Sequence, residues 1–164
     1  MPKSNAIVGI GSSAICVFFA VLLAFIAVAA WESFGKARET AEREASLAGD
    51  LWRDSFAMPE PIKTQLLGNV HDYVEIVLTK EWPAMAQGVP FGDDGWAPLI
   101  KFHRALSAVR TSDPIQVARV TETLTRLNSL YNARHQRILA SQDHIEPMVW
   151  AVVLLGAFIT ISFT

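Results

Sequence analysis

The chain has 164 residues, enough for about one domain, and is 51% hydrophobic but only 18% charged. All 16 acidic residues, 13 of the 14 basic ones and all four histidines fall between Glu32 and Glu146, so two uncharged ends flank a middle of net charge −3. That balance offers no basic block to neutralise phosphates and excludes a dedicated nucleic-acid binder, while the single cysteine, Cys16, excludes an internal disulfide and any metal site made of cysteines alone.

The first uncharged stretch, Ser4 to Trp31, is 28 residues long. As a helix it spans roughly 42 Å, more than the roughly 30 Å hydrocarbon core requires, and a transmembrane helix over 5–31 is predicted. A cleaved signal peptide, with Ala27-Val28-Ala29 as its site, is the competing reading, but its apolar region would be too long and its leading region holds only Lys3. On a wheel of 100° per residue, Ala6, Gly9, Ser13, Cys16, Ala20, Ala24 and Ala27 share one arc of about 80° in which every side chain is small. Close backbone approach is a main source of helix association in a bilayer, so this arc is predicted to be a packing seam.

The second uncharged stretch, 147–164, is just long enough for a second span. Pro147 suits a first helical turn and Trp150 an interfacial anchor. Gly156, Thr160 and Thr164 form a small stripe of their own, a candidate counterpart for the first seam. No anchor residue follows Thr164, so either a partner shields this end or the natural product is longer. Lys36, Arg38 and Arg43 follow the first span, and Arg134 and Arg137 precede the second, a bias that puts the middle in the cytoplasm and both termini on the opposite side.

Between the spans, over 32–146, four helices are predicted, at about 32–57, 61–87, 94–110 and 114–140. The first continues the membrane helix, with Phe34, Ala37, Ala41, Ala45, Ala48, Trp52 and Phe56 as its apolar stripe and Glu44 among the charges elsewhere on the wheel. Pro59-Glu60-Pro61 breaks it, and Ile62, Leu66, Val70, Tyr73 and Val77 restart the period. Trp82-Pro83 should kink or end the second helix before the loop 88–95. Trp96, Leu99, Ile100, His103, Leu106 and Val109 mark one side of the third helix. Ser112-Asp113-Pro114 opens the fourth, whose face is Val117, Val120, Leu124, Leu127, Tyr131 and Ile138. The fold class is an all-α membrane protein, with two transmembrane helices flanking an antiparallel helical-bundle soluble domain.

Chemistry is sparse. His71 and Glu75 stand four apart, as two ligands on one helix face would, but the remaining ligands of a metal set are missing. Neither span holds a histidine to carry haem or pigment, nor a charged residue to relay protons. No phosphate loop, nucleophile elbow or Cys/His constellation occurs. Neither a catalytic residue nor a cofactor is therefore expected.

The run Ala20-Val21-Leu22-Leu23-Ala24-Phe25, Trp31, Glu42-Arg43-Glu44-Ala45, Pro59-Glu60-Pro61 and Glu81-Trp82-Pro83-Ala84-Met85, in that order, resemble the bacterial bestrophin-like membrane family of unknown function. The likeness runs from about residue 6 to Thr164, with Trp31, Glu81, Trp82, Pro83 and Met85 as its most characteristic positions. The resemblance implies a bundle-like domain inserted between membrane helices in the bacterial inner membrane, further membrane helices on either side that this sequence does not contain, and, through the family name, an association with anion channels. The expected function is that of a non-catalytic accessory subunit of a larger inner-membrane complex, such as a respiratory or photosynthetic one, with other membrane subunits and the lipid bilayer as partners. The alternative is a homo-oligomeric anion channel or transporter.

Overall fold

A computed structural model describes the backbone over residues 2–142 and 147–162, with side-chain surroundings over 16–142 and 149–162. Six α-helices and no strand form among these residues: α1 (Pro2–Ser55), α2 (Ile62–Ile76), α3 (Trp82–Ala86), α4 (Trp96–Ser107), α5 (Pro114–Gln142) and α6 (Pro147–Ser162), with a π-helical turn, Val77–Glu81, joining α2 to α3. Contacts divide the chain into a unit of Met1–Ala37 with Gln142–Thr164 and a second unit of Arg38–Ser141.

In the first unit, α1 is the one described helix long and apolar enough to cross a membrane, and none of its most apolar window is buried within the chain. The 16 residues of α6 are apolar but fall short of the about 20 that a crossing takes. Between residues 16 and 36, Phe19, Leu22, Ile26 and Ala30, spaced three or four apart, are the partly covered positions of α1. A Cβ placed on Gly156 would lie 2.6 Å from Phe19 Cδ2, so the glycine is the hollow that receives this ring. Among the described residues, the small stripe of α1 is not what meets Gly156, as the sequence invites it to be. Gly156 takes a bulky knob from α1, while Cys16, Ala20, Ala24 and Ala27 stay exposed. The side-chain surroundings of Gly9, Ser13, Pro147, His144 and Thr164 lie outside the described residues.

The second unit carries the core. Leu51, Leu66, Tyr73, Leu99, Phe102, Leu106, Leu127 and Leu130 are all fully buried. The stripe expected on α2 points inward, with Leu66, Val70, Tyr73 and Val77 buried and Ile62 packed against them. Asp113 caps α5 by accepting a hydrogen bond from the Ile115 N–H at 3.0 Å, and Pro114 follows where a missing N–H costs nothing.

Several expectations are corrected here. Among the described residues of α1 the buried positions are Thr40, Glu44, Ala48, Leu51 and Ser55: Ala48 belongs to the expected stripe, but the other four lie one position round the wheel from it, while Phe34, Ala45, Trp52 and Phe56 are exposed. On α4, Phe102 is buried, whereas Ile100 and His103 face solvent, because the core line runs Leu99, Phe102, Leu106 at three and four spacing. On α5, Val117 is exposed, and Arg134 and Arg137 continue the Leu127 and Leu130 line inward. The expectation that Trp82-Pro83 kinks or ends the second helix needs no such correction: the Trp82 N–H reaches back to the Val77 carbonyl, five residues away, a widened turn that takes up the proline before the helix closes at Ala86.

The rotation of α1 has a direct test. Leu51→Ala is expected to destabilise the protein by about 2–5 kcal/mol, whereas Ala45→Gln should shift stability by no more than about 0.5 kcal/mol. Chemical denaturation followed by helical circular dichroism measures both.

Candidate functional site

Three elements of the second unit bring charges into its interior. Glu44 comes from α1, Glu81 from the π turn, and Arg134 and Arg137 from α5; each is no more than 4% exposed. Arg137 binds both carboxylates: its Nε donates to Glu44 Oε2 at 2.5 Å, its Nη2 to Glu44 Oε1 at 3.1 Å, and the same Nη2 donates to Glu81 Oε2. The Nη2 of Arg134 donates to the other Glu81 oxygen, Oε1, at 2.5 Å. Tyr73, from α2, completes the set by donating its hydroxyl to Glu44 Oε1.

Two carboxylates thus meet two guanidiniums, and every carboxylate oxygen is occupied. Burial opposes the charge on Arg137, but hydrogen bonds and attraction from Glu44 and Glu81 more than offset it, holding the guanidinium protonated above its ordinary range. Burial, followed by the Glu44 charge, pushes the Tyr73 hydroxyl well above the usual tyrosine range. Burial also raises Tyr131, whose hydroxyl donates to the Leu99 carbonyl at 3.2 Å.

The surroundings are shaped to the cluster. The Arg134 guanidinium lies 4.4 Å from the centre of the Trp96 ring, a cation–π contact that faces the charge without a hydrogen bond. Gly95 passes close by: a Cβ there would collide with Glu81 Oε1 and lie within 2.9 Å of Arg134 Nη2, so this position has no room for a side chain. Arg137 Nη1 points at the Met85 sulfur, 2.9 Å away. Beside the cluster an apolar groove of about 490 Å³ opens between α1 and α2, with Ala41, Ala45 and Trp52 on one wall, Val74, Leu78 and Trp82 on the other, and Glu44, Tyr73 and Arg137 among its lining.

Residues singled out in the sequence meet different fates. Within Glu81-Trp82-Pro83-Ala84-Met85, Glu81 and Met85 both contact Arg137, Pro83 opens α3, and Trp82 stands on the groove rim. Trp31 is exposed. Thr160 donates to the Gly156 carbonyl along α6 at 2.8 Å. His71 lies 4.0 Å from Glu75 and 3.8 Å from Asp72, and all three side chains are more than half exposed, a loose surface grouping. Sequence reasoning misses Glu44, Arg134 and Arg137 as a site. Periodicity alone puts Glu44 on the solvent face, and the two arginines read as markers of membrane orientation. Their signal is registration: each falls on the three-or-four line of a leucine stripe.

A family model of the bestrophin-like domain matches residues 2–164, essentially the whole chain. The chain belongs to the bestrophin-like family. No curated protein and no solved structure matches it. In this bestrophin-like chain the family-like positions Glu81 and Met85 are thus the partners of a buried arginine that stands 52 residues or more further along the sequence.

Two outcomes test the cluster. Arg137→Leu leaves buried Glu44 with no cationic partner and Glu81 with Arg134 alone, and is expected to cost about 3–5 kcal/mol, whereas replacing all four charged residues with apolar ones of similar volume should recover most of that loss; denaturant titration reads both. The two tyrosines are the only ones in the chain. Because both hold their protons above the ordinary value near 10 when folded, the native protein should show less phenolate absorbance at about pH 10.5 than the denatured chain does. The unfolded state loses those protons first, so this contribution to stability is full below about pH 10 and falls as the pH rises past it.

Proposed function

We propose that this bestrophin-like chain is a non-catalytic, membrane-embedded subunit whose work is to pack against other membrane proteins in a bacterial inner membrane. The observation that carries the reading is the open face of α1: Cys16, Ala20, Ala24 and Ala27 are all exposed, and no residue of the helix's apolar window is buried by its own chain. In lipid, a small-residue face gains stability by admitting another backbone closely, which makes a neighbouring helix its natural cover. In this reading α6 is the second membrane helix, the charged middle faces the cytoplasm and both termini face the opposite side. The saturated carboxylates of the buried cluster support a structural role rather than catalysis.

The family match supports a second reading, a homo-oligomeric anion channel. The apolar stretches contribute no charged residue to line such a path, and Phe18 and Phe25, 77% and 70% exposed, would supply an apolar constriction.

Gentle extraction from native membranes, then sizing and mass spectrometry of what stays bound, separates the two. Foreign subunits at fixed stoichiometry are the expected result. Copies of this chain alone, with anion flux in liposomes above that of empty vesicles, would establish the channel reading instead.

A further inference from the structure

Two methionine sulfurs in the Arg38–Ser141 unit accept hydrogen bonds, and their surroundings differ. Met58 is 4% exposed and takes a neutral donor, the Gln116 amide, at 3.3 Å. Met85 is partly exposed on the short helix α3 and takes a cationic one, the Nη1 of buried Arg137. The Nε and Nη2 of that guanidinium meet carboxylate oxygens, whereas Nη1 meets a thioether, a weak acceptor. We propose that Met85 is a site of reversible oxidation whose sulfoxide oxygen accepts from Arg137 Nη1, so that oxidation tightens the buried cluster instead of disrupting it.

The oxidant is a peroxide, small enough to reach a side chain open to water. The sulfur attacks one peroxide oxygen: the O–O bond breaks, the S–O bond forms, the sulfur gives up two electrons and hydrogen peroxide leaves as water. A sulfoxide ordinarily loosens a fold, because it puts a polar oxygen where an apolar chain was packed. At Met85 the balance reverses. The new oxygen forms beside a buried cation whose nearest N–H has met sulfur instead of oxygen, and a hydrogen bond from a charged donor is roughly twice as strong as a neutral one. The side chain is unbranched, has three rotatable bonds and lies partly in water, so the sulfur can withdraw by the width of the added oxygen while that oxygen turns toward Nη1. The resulting bond ties α3 to α5 directly, beside the tie that Glu81 makes from the π turn. Reduction by a dithiol restores the thioether, with the oxygen leaving as water and the dithiol closing to a disulfide.

The inference concerns the interior of one unit and stands apart from the membrane packing proposed above. The test uses the full chain in lipid vesicles, with Cys16→Ser, Met58→Leu and Met148→Leu leaving Met85 as the one internal methionine. Hydrogen peroxide should convert Met85 to the sulfoxide, read by peptide mass spectrometry, with helical circular dichroism unchanged. The denaturant midpoint should rise, a gain of about tenfold in the folding equilibrium constant. In the otherwise native chain, Met85→Gln carries an oxygen acceptor without any oxidant, and should be more stable than Met85→Leu by a similar factor. Arg137→Lys keeps a charge but has no Nη1, and should abolish the gain on oxidation. A midpoint lowered or unmoved by oxidation would overturn the proposal. So would a Met85→Gln variant no more stable than Met85→Leu, a gain that survives Arg137→Lys, or a Met85 that resists peroxide until the chain unfolds. None of these results bears on which subunits stay bound on extraction.

Discussion

Arg137 stands between Glu44 and Glu81, and the Arg38–Ser141 unit is organised around that bridge. Each ion costs several kcal/mol to remove from water, and the attraction between partners repays this only when geometry and hydrogen bonding are nearly complete. Every carboxylate oxygen and the Arg137 guanidinium meet the condition, while Arg134 leaves Nε and Nη1 without a hydrogen bond and sets its face against Trp96; the cluster takes one group each from α1, α2 and the π turn and two from α5, so those four elements are committed to one mutual register. A slip of α1 by a single residue would turn Glu44 away from its guanidinium and leave a buried charge without compensation. Hydrophobic burial drives the collapse of the unit, and the charged bridge selects which collapsed arrangement survives.

Neighbouring details follow from the same constraint. The widened turn at Val77–Glu81 accommodates Pro83 and carries Glu81 to the interior, while Trp82, the next residue, emerges at the groove rim. Gly95 allows the chain entering α4 to pass directly over the Glu81–Arg134 pair, and Trp96, one residue on, supplies the aromatic face for the arginine. A family motif that reads in the sequence as a proline-marked helix break is, in three dimensions, half of an ion cluster with its local scaffolding.

The inward turn of Glu44 has a consequence for the rest of α1. With the polar stripe buried, the alanine and aromatic stripe is left to line an open groove. In the membrane unit, likewise, the bulky ridge of α1 meets Gly156 and the small face is left open. In both units the surface best suited to close helix approach is therefore unsatisfied within one copy.

Much of the architecture is legible in the residues themselves. The charge-free stretch to Trp31, the Pro59-Glu60-Pro61 break, the inward line of α2 and the Asp113-Pro114 start of α5 depend on local chemistry: absent charge, proline sterics, a period of 3.6 and a capping carboxylate. The rotation of α1 is not legible, because two stripes one position apart share a period, and the alanine-rich one is the more apolar. Burying Glu44 becomes favourable only when Arg137 arrives from 93 residues away, a compensation that no local window contains. The facing of Phe19 to Gly156 is of the same kind, since knob and hollow lie on different helices. Sequence by itself determined where helices begin, end and avoid water; the tertiary structure decided which way each one turns, because the partner that makes a face favourable to bury is distant along the chain.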